Sequence, residues 1–417
     1  MATQFVSTDI SGPGTRVTLA DGDGVWVSRN GLVGSTDNGI AISGAGSGHI
    51  VQIEGAVSGL YGVQLGDNAT LDFGNAVVVA STGVVYGSVY GVVMFGADAR
   101  LDNFGLINGG VYFDGVGLGM SRIDNAGDII DNTTAVSHFG FETLSLSNTG
   151  TIRGVGQAFF SESNTAIDLI RNSGEMIGDI LLGGGNDTYD GRGGFIDGIV
   201  YGQAGNDMFR PGSGIDVFDG GAGIDTLDFR STAGVRVYLN GSGPNTGTAA
   251  GDEYTGIETV LGSATGNDLL AGDTGNNILR GLGGVDTLLG GSGIDNLGGG
   301  AGIDRLSGGL GDDRFVFQAL SESGDVISDF GAVVGNNDRF YFDDAGFGGG
   351  LLIGALAAGQ FQTRADNLAQ DANDRFIFRT TDQTLWFDAN GNVAGGLTLV
   401  ADLQIGATVT AADILIF

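Results

Sequence analysis

The chain has 417 residues, of which 82 are glycine and three are proline, and 41% are hydrophobic; that is too apolar for a disordered chain, and no period of three supports collagen. Its 49 acidic residues face 17 arginines and no lysine, a formal charge of -32 that repels nucleic acid and anionic lipid and suits carboxylates that meet a cation. With no cysteine there are no disulfides, thiolate metal sites or thiol nucleophiles, and no apolar run reaches the roughly 18 residues of a membrane span.

The length leaves room for two or three domains. The opening MATQFVSTDI lacks a basic stretch followed by an apolar run, so no Sec-type leader is expected. Residues 1–181 carry a loose repeat: LDNFGLING, IDNAGDIID, LSNTGTIRG and IRNSGEMIG place Asn103, Asn125, Asn148 and Asn172 at intervals of 22, 23 and 24. VSRNGLVGS and VQIEGAVSG suggest earlier rungs, with Asn30 and Glu54 24 apart. A period near 23 predicts coils of a parallel β-helix with about three short strands each, and the stacked rungs predict an asparagine ladder. An irregular all-β sandwich is the alternative that the same alternation allows. These Asn-x-Gly coils resemble those of bacterial surface adhesins and autotransporter passengers, which implies a surface or interaction domain.

Residues 182–316 are more regular. From Ser263 the chain reads SATGNDLLA, GDTGNNILR, GLGGVDTLL, GGSGIDNLG, GGAGIDRLS and GGLGDDRFV, six units of nine residues ending at Val316. An earlier array at 202–228 reads GQAGNDMFR, PGSGIDVFD, GGAGIDTLD, and LGGGNDTYD precedes it at 182–190. The sixth position is Asp187, Asp207, Asp216, Asp225, Asp268, Asn277, Asp286, Asp295, Asp304 and Asp313; the eighth is always apolar or aromatic. Glycines permit a tight turn with positive φ over the first six residues, and the last three form a short strand that points position eight inward. Units two apart then stack about 4.8 Å from each other, and stacked aspartates repel by roughly 1 kcal/mol or more per pair. Carboxylates and turn carbonyls suit calcium, whereas zinc would want imidazole or thiolate, which these turns lack.

The arrays resemble the RTX calcium-binding proteins secreted by Gram-negative bacteria, for which this nonapeptide is a known signature. The resemblance implies a parallel β-roll that holds several calcium ions between same-side turns. Carried over residue by residue, it pairs Asp207 with Asp225, Asp268 with Asp286, Asp286 with Asp304, and Asp295 with Asp313. Asn277 with Asp295 would be a weakened site. Residues 229–262 read as strands inserted between the arrays, with a loop at 241–251.

Residues 317–417 leave the nonapeptide. DRFIFRTTDQTLWFDANGN at 374–392 predicts a hairpin or meander with a turn at Asp388, Asn390 and Gly391. The final ADILIF, Asp413 followed by four apolar residues, resembles the uncleaved secretion signal of type I substrates and implies an ABC-type exporter as partner; a last strand covering the roll fits the same pattern. The fold class expected is all-β: a parallel β-helix, a calcium-binding β-roll and a β-meander cap.

Enzymatic readings find little support. Neither His49 nor His138 begins a His-Glu-x-x-His motif, and no serine has the Gly-x-Ser-x-Gly context of a nucleophile elbow. Fatty acylation of the family's cytolysins needs a lysine, which is lacking. His138 reads as a surface or loop residue. The expected protein is a secreted, extracellular or cell-surface calcium binder with a structural or adhesive role and a possible capacity for self-association as a surface layer. A polysaccharide-active enzyme or carbohydrate-binding module on the helix face, with Asp124, Asp128 and Asp131 beside Arg122, is the alternative.

Overall fold

Valine, isoleucine and leucine alternate with polar residues along most of the chain, which predicts strands that bury one side, and the computed structural model forms such strands throughout. It describes residues 2–67, 72–115, 119–332, 335–348 and 350–417. Among these no helix is long and apolar enough to cross a membrane. The chain forms two compact units, Met1–Asp225 with Asp252–Gly256, and Thr226–Gly251 with Ile257–Phe417.

The first unit is a parallel β-helix with three faces per coil. On one face Val51, Val77, Leu101, Ile123, Leu146 and Ile170 share a register. On the next, Val33, Val57, Val85, Ile107, Ile129 and Ile152 do the same. The third stacks Val63, Val92, Val111, Val136, Phe159 and Ile180. All these side chains are buried. At roughly 1.5–3 kcal/mol for each fully buried side chain, these columns dominate the stability of the coils.

The asparagine ladder is present. Asn103 Nδ2 donates to Asn125 Oδ1 at 2.7 Å, Asn125 to Asn148 at 2.8 Å, and Asn148 to Asn172 at 2.9 Å. Each rung also bonds its own turn, as when Asn148 Nδ2 donates to the Gly150 carbonyl at 3.2 Å. The glycine two residues later is obligatory: a Cβ on Gly127 would stand 2.1 Å from the Gly105 carbonyl oxygen. The ladder does not extend to Asn30 and Glu54. In those coils the equivalent register positions hold Val27, Ile53 and Val79, while Asn30 is exposed in a turn. Asn30 and Glu54 stand immediately before Gly31 and Gly55, whereas each ladder asparagine stands two residues before its glycine, so similarity of sequence did not mean equivalence of place.

The second unit repeats with two strands per turn. Leu279, Leu297, Phe315 and Phe340 form one inward column. Leu270, Leu288, Leu306 and Ile327 form the other. Same-column residues of the array are 18 apart, two nonapeptides per coil. Residues 229–262 supply ordinary rungs, since Arg236–Tyr238 pairs with Leu269–Ala271 and Thr259–Leu261 with Ile278–Gly283. At the C-terminus Phe376–Arg379, Thr384–Asp388 and Leu397–Leu403 form an antiparallel meander. Asn390 N–H donates to Asp388 Oδ1 at 3.1 Å and Gly391 takes φ +67° in the connecting turn. The last strand, Ile414–Ile416, lies parallel to Arg339–Phe342 with Ile414 and Ile416 buried.

Asn148 has a ladder neighbour on both sides, whereas Asn103 follows a valine. Asn148→Ala is therefore expected to destabilise the β-helix by about 1–3 kcal/mol per orphaned group, and Asn103→Ala by less. Urea unfolding of the two variants, monitored by circular dichroism, checks the order.

Candidate metal centre

In each nonapeptide the turn is shaped by glycine at position four. A Cβ on Gly302, at φ +152°, would lie 1.7 Å from the Gly284 carbonyl oxygen one coil away. The turn then presents the sixth residue inward, where it is buried. Along the ladders that follow, the backbone N–H of each residue binds the carboxylate of the next coil. In the second unit Asp268 N–H donates to Asp286 Oδ1 at 2.7 Å, Asp286 to Asp304 at 2.7 Å, and Asp304 to Asp325 at 2.9 Å. A second ladder runs from Asn277 to Asp295 at 2.7 Å, to Asp313 at 2.9 Å and to Asp338 at 3.0 Å. In the first unit the series is Asp168, Asp187, Asp207 and Asp225 at 2.7, 2.8 and 2.7 Å, with Asp216 donating separately to Asp252 at 2.9 Å.

The second carboxylate oxygen distinguishes the rungs. Oδ2 of Asp187, Asp207, Asp286, Asp295, Asp304, Asp313 and Asp325 is buried without a hydrogen-bond partner. In Asp207, Asp286, Asp295, Asp304 and Asp313 it presses against the glycine at position one. The place where a Cβ on Gly290 would stand is 2.4 Å from both Asp295 Oδ2 and the Gly308 carbonyl oxygen. On Gly281 the corresponding distances are 2.2 Å to Asp286 Oδ2 and 2.6 Å to the Gly299 carbonyl. A carboxylate and a carbonyl of the following coil thus converge on a cradle that only glycine leaves open. This all-oxygen donor set fits a hard divalent cation of the calcium type. Among the described residues no three carboxylate or imidazole side chains gather as a metal-binding group, so backbone carbonyls must complete any coordination shell here.

Three expected residues are partly spoken for. Asp216 Oδ2 accepts from Gly212 N–H at 2.8 Å. Asp268 accepts from Ser263 N–H at 2.7 Å and lies 3.1 Å from its hydroxyl. Asn277 Oδ1 accepts from Asp273 N–H at 2.9 Å, in keeping with the weaker donor that an amide offers. The sequence reading missed Asp252, Asp325 and Asp338, which extend the ladders at spacings of 36, 21 and 25 residues. Their signal was the Asp-x-apolar triplet, as in Asp325-Val326-Ile327 and Asp338-Arg339-Phe340. Asp252 Oδ2 already accepts from the Tyr254 hydroxyl at 2.8 Å.

Burial pushes these carboxyls up from their ordinary value of 3.8. Asp187 and Asp325 reach about 8, Asp286 and Asp295 about 7, and Asp207 and Asp313 about 6. Repulsion between neighbouring rungs adds to the effect, Asp304 and Asp268 on Asp286 and Asp313 on Asp295. Unless a counter-charge is supplied, the rungs favour the neutral acid.

Stacked, buried aspartates facing backbone carbonyls in a parallel β-solenoid define the class of cation-binding β-rolls. The family model for the RTX calcium-binding nonapeptide repeat matches in four copies, over residues 197–227, 263–297 and 289–317. The chain therefore carries RTX-type calcium-binding nonapeptide repeats over these residues. A search of the curated proteins returns no significant match.

The raised pKa values fix a sign. A carboxyl whose folded pKa lies above 3.8 binds its proton more tightly in the fold, so its contribution is complete below about pH 4 and is lost as the pH rises through about 6–8. Metal-free protein is expected to unfold at lower urea at pH 8 than at pH 5. Excess calcium, which competes with protons for the carboxylates, should reverse that order. A metal-free urea midpoint that stays level or rises from pH 5 to pH 8 would contradict the ladder electrostatics.

Proposed function

We propose that this is a secreted RTX protein whose roll folds on meeting extracellular calcium and which serves as a structural or adhesive component of the cell surface or matrix. The observation that carries the reading is the set of buried aspartate ladders with unpartnered Oδ2 atoms. The proposed calcium ligands are Asp187, Asp207, Asp216, Asp225, Asp268, Asn277, Asp286, Asp295, Asp304 and Asp313, with backbone carbonyls between them and several ions per chain. The rungs Asp187 with Asp207, Asp286 with Asp304 and Asp295 with Asp313 are the strongest, since both carboxylates of each pair keep an oxygen free. Bound calcium supplies the positive charge that lets these carboxylates stay ionised while buried.

The energetics support a folding switch. Extracellular calcium modules have dissociation constants of roughly 0.1–1 mM, and one site at ten times that value gains only about 1.4 kcal/mol. Several sites must act together, so the transition is expected to be steep. In this reading residues 182–316 are the calcium-dependent roll, 317–417 the cap and export signal, and 1–181 the part that meets a surface partner. An ABC-type exporter is the proposed route out of the cell.

The test is a calcium titration of chelator-stripped protein, followed by circular dichroism and light scattering together. The β-signal is expected to rise cooperatively between about 0.1 and 10 mM, and a parallel rise in particle size would support assembly into a layer. Asp286→Ala and Asp295→Ala, one in each ladder, should each raise the midpoint by about two- to tenfold. A response that is absent, or unchanged in both variants, would count against the reading.

A second reading, carbohydrate recognition by the β-helix, is favoured by one feature. An open groove of about 520 Å³ is lined by Asp131, Arg153, Val155, Ile177, Asp179 and Asp197, among others. It is not the grouping of Asp124, Asp128, Asp131 and Arg122 expected from the sequence. Arg122 and Asp124 pair with each other at 2.6 Å on Met120–Asn125, while Asp128–Asp131 forms the strand of the next face. Binding or turnover of a polysaccharide by calcium-loaded protein, abolished by Arg153→Ala, would move the assignment to this reading.

A further inference from the structure

Beyond the carboxylates of the nonapeptide ladders, a second group of buried polar atoms that lack a partner lies in the β-helix around His138. The sequence suggested a surface or loop histidine. Instead His138 ends the strand Thr134–His138 and is completely buried, because its alternation places it inward beside Val136. Its Nδ1 is 2.8 Å from Asp168 Oδ1, and its Nε2 points to Glu142, with Oε1 at 4.0 Å. Asp168 and Glu142 are buried as fully. His138 Nε2, both Glu142 oxygens and Asp168 Oδ2 have no partner in hydrogen-bond geometry, although the Ser121 hydroxyl lies near enough to the Glu142 carboxyl to favour its charged form. Four such atoms around one side-chain cluster are too many to be chance, since folded proteins leave only a few buried polar groups unsatisfied per hundred residues.

The chemistry of the cluster differs from that of the ladders. A carboxylate on Nδ1 fixes the imidazole tautomer and leaves the Nε2 lone pair facing outward, the arrangement in which histidine serves metals. An imidazole nitrogen opposed by a carboxylate suits a borderline ion such as zinc rather than calcium. We propose that His138 Nε2 and the Glu142 carboxylate bind a zinc-class divalent ion inside the β-helix, with Asp168 as the positioning residue and water or backbone carbonyls in the remaining places. Two bonds of 2.0–2.1 Å at a tetrahedral angle set their donors about 3.3 Å apart, so the 4.0 Å separation must close by less than 1 Å, within reach of a small Glu142 side-chain shift. Burial lowers the proton affinity of His138, but Asp168, Glu142 and Asp114 outweigh it and leave the ring pKa raised. The same negative charges favour any cation at Nε2. His49 is the internal contrast, with Nδ1 3.1 Å from the Asp23 carbonyl and Nε2 2.9 Å from that of Ala45.

Because the cluster is buried, the ion must enter during folding. Full-length protein would be refolded from urea in saturating calcium with and without zinc, desalted, and its metal content measured by mass spectrometry. Wild type and His49→Gln are expected to retain about one zinc per chain, and His138→Gln and Glu142→Gln at least about tenfold less; Asp168→Asn should weaken retention about 10- to 100-fold. No zinc in the wild type, or equal zinc in the His138 and Glu142 variants, overturns the proposal. Should those variants fail to fold, the wild-type imidazole nitrogen resonances decide. A shift of His138 Nε2 after refolding with zinc supports the site. A ring protonated on both nitrogens with or without zinc overturns it and leaves a charged clasp between two carboxylates.

Discussion

A carboxylate buried in nearly every nonapeptide, directly above its equivalent in the coil before, is the constraint on which the turns depend. At the strand spacing of about 4.8 Å, two ionised neighbours in an effective dielectric near 20 repel by about 3 kcal/mol, and a column of four multiplies the problem. The other features of the unit follow from accommodating that column. Glycine at position one makes room for Oδ2, glycine at position four lets successive turns nest, and the apolar eighth residue fixes the register that holds the carboxylates in line. Propensity alone would favour none of these choices; the column and its counter-charge require them.

The asparagine rungs of the β-helix offer an instructive contrast. There too a polar side chain is buried once per coil and stacked on its equivalent. An amide carries both donor and acceptor, so each asparagine satisfies the next without charge. A carboxylate carries acceptors only and leaves one oxygen over. The amide column therefore needs no counter-charge, whereas the carboxylate column calls for a proton or a cation to neutralise it. One residue type per coil separates unconditional from conditional structure.

Much of this was legible in the sequence, because solenoid register is written as spacing. Asn103, Asn125, Asn148 and Asn172 announced their ladder, and Asp268 to Asp313 announced theirs, since each repeats with its turn glycine at a constant offset. Legibility failed where loops change the interval. Asp325 and Asp338 occupy ladder positions, but extra residues before them break the count of nine. Asn30 and Glu54 sit in a similar motif but one or more residues past the ladder position, and the burial they seemed to claim belongs to Val27 and Ile53. His138 was unreadable for another reason. Its partner Asp168 is 30 residues away, and only the three-faced coil brings that distance to 2.8 Å.

The two strand columns of the roll carry a rule of parity. Odd and even nonapeptides feed different ladders, Asp268, Asp286 and Asp304 in one and Asn277, Asp295 and Asp313 in the other. Loss or gain of eighteen residues shortens or lengthens both ladders by one rung and leaves everything beyond it in place. Loss of nine transfers every later aspartate to the opposite column and presents the cap with the wrong edge. Such a sequence can grow or shrink only by even steps, so its length is quantised by the geometry of a single coil.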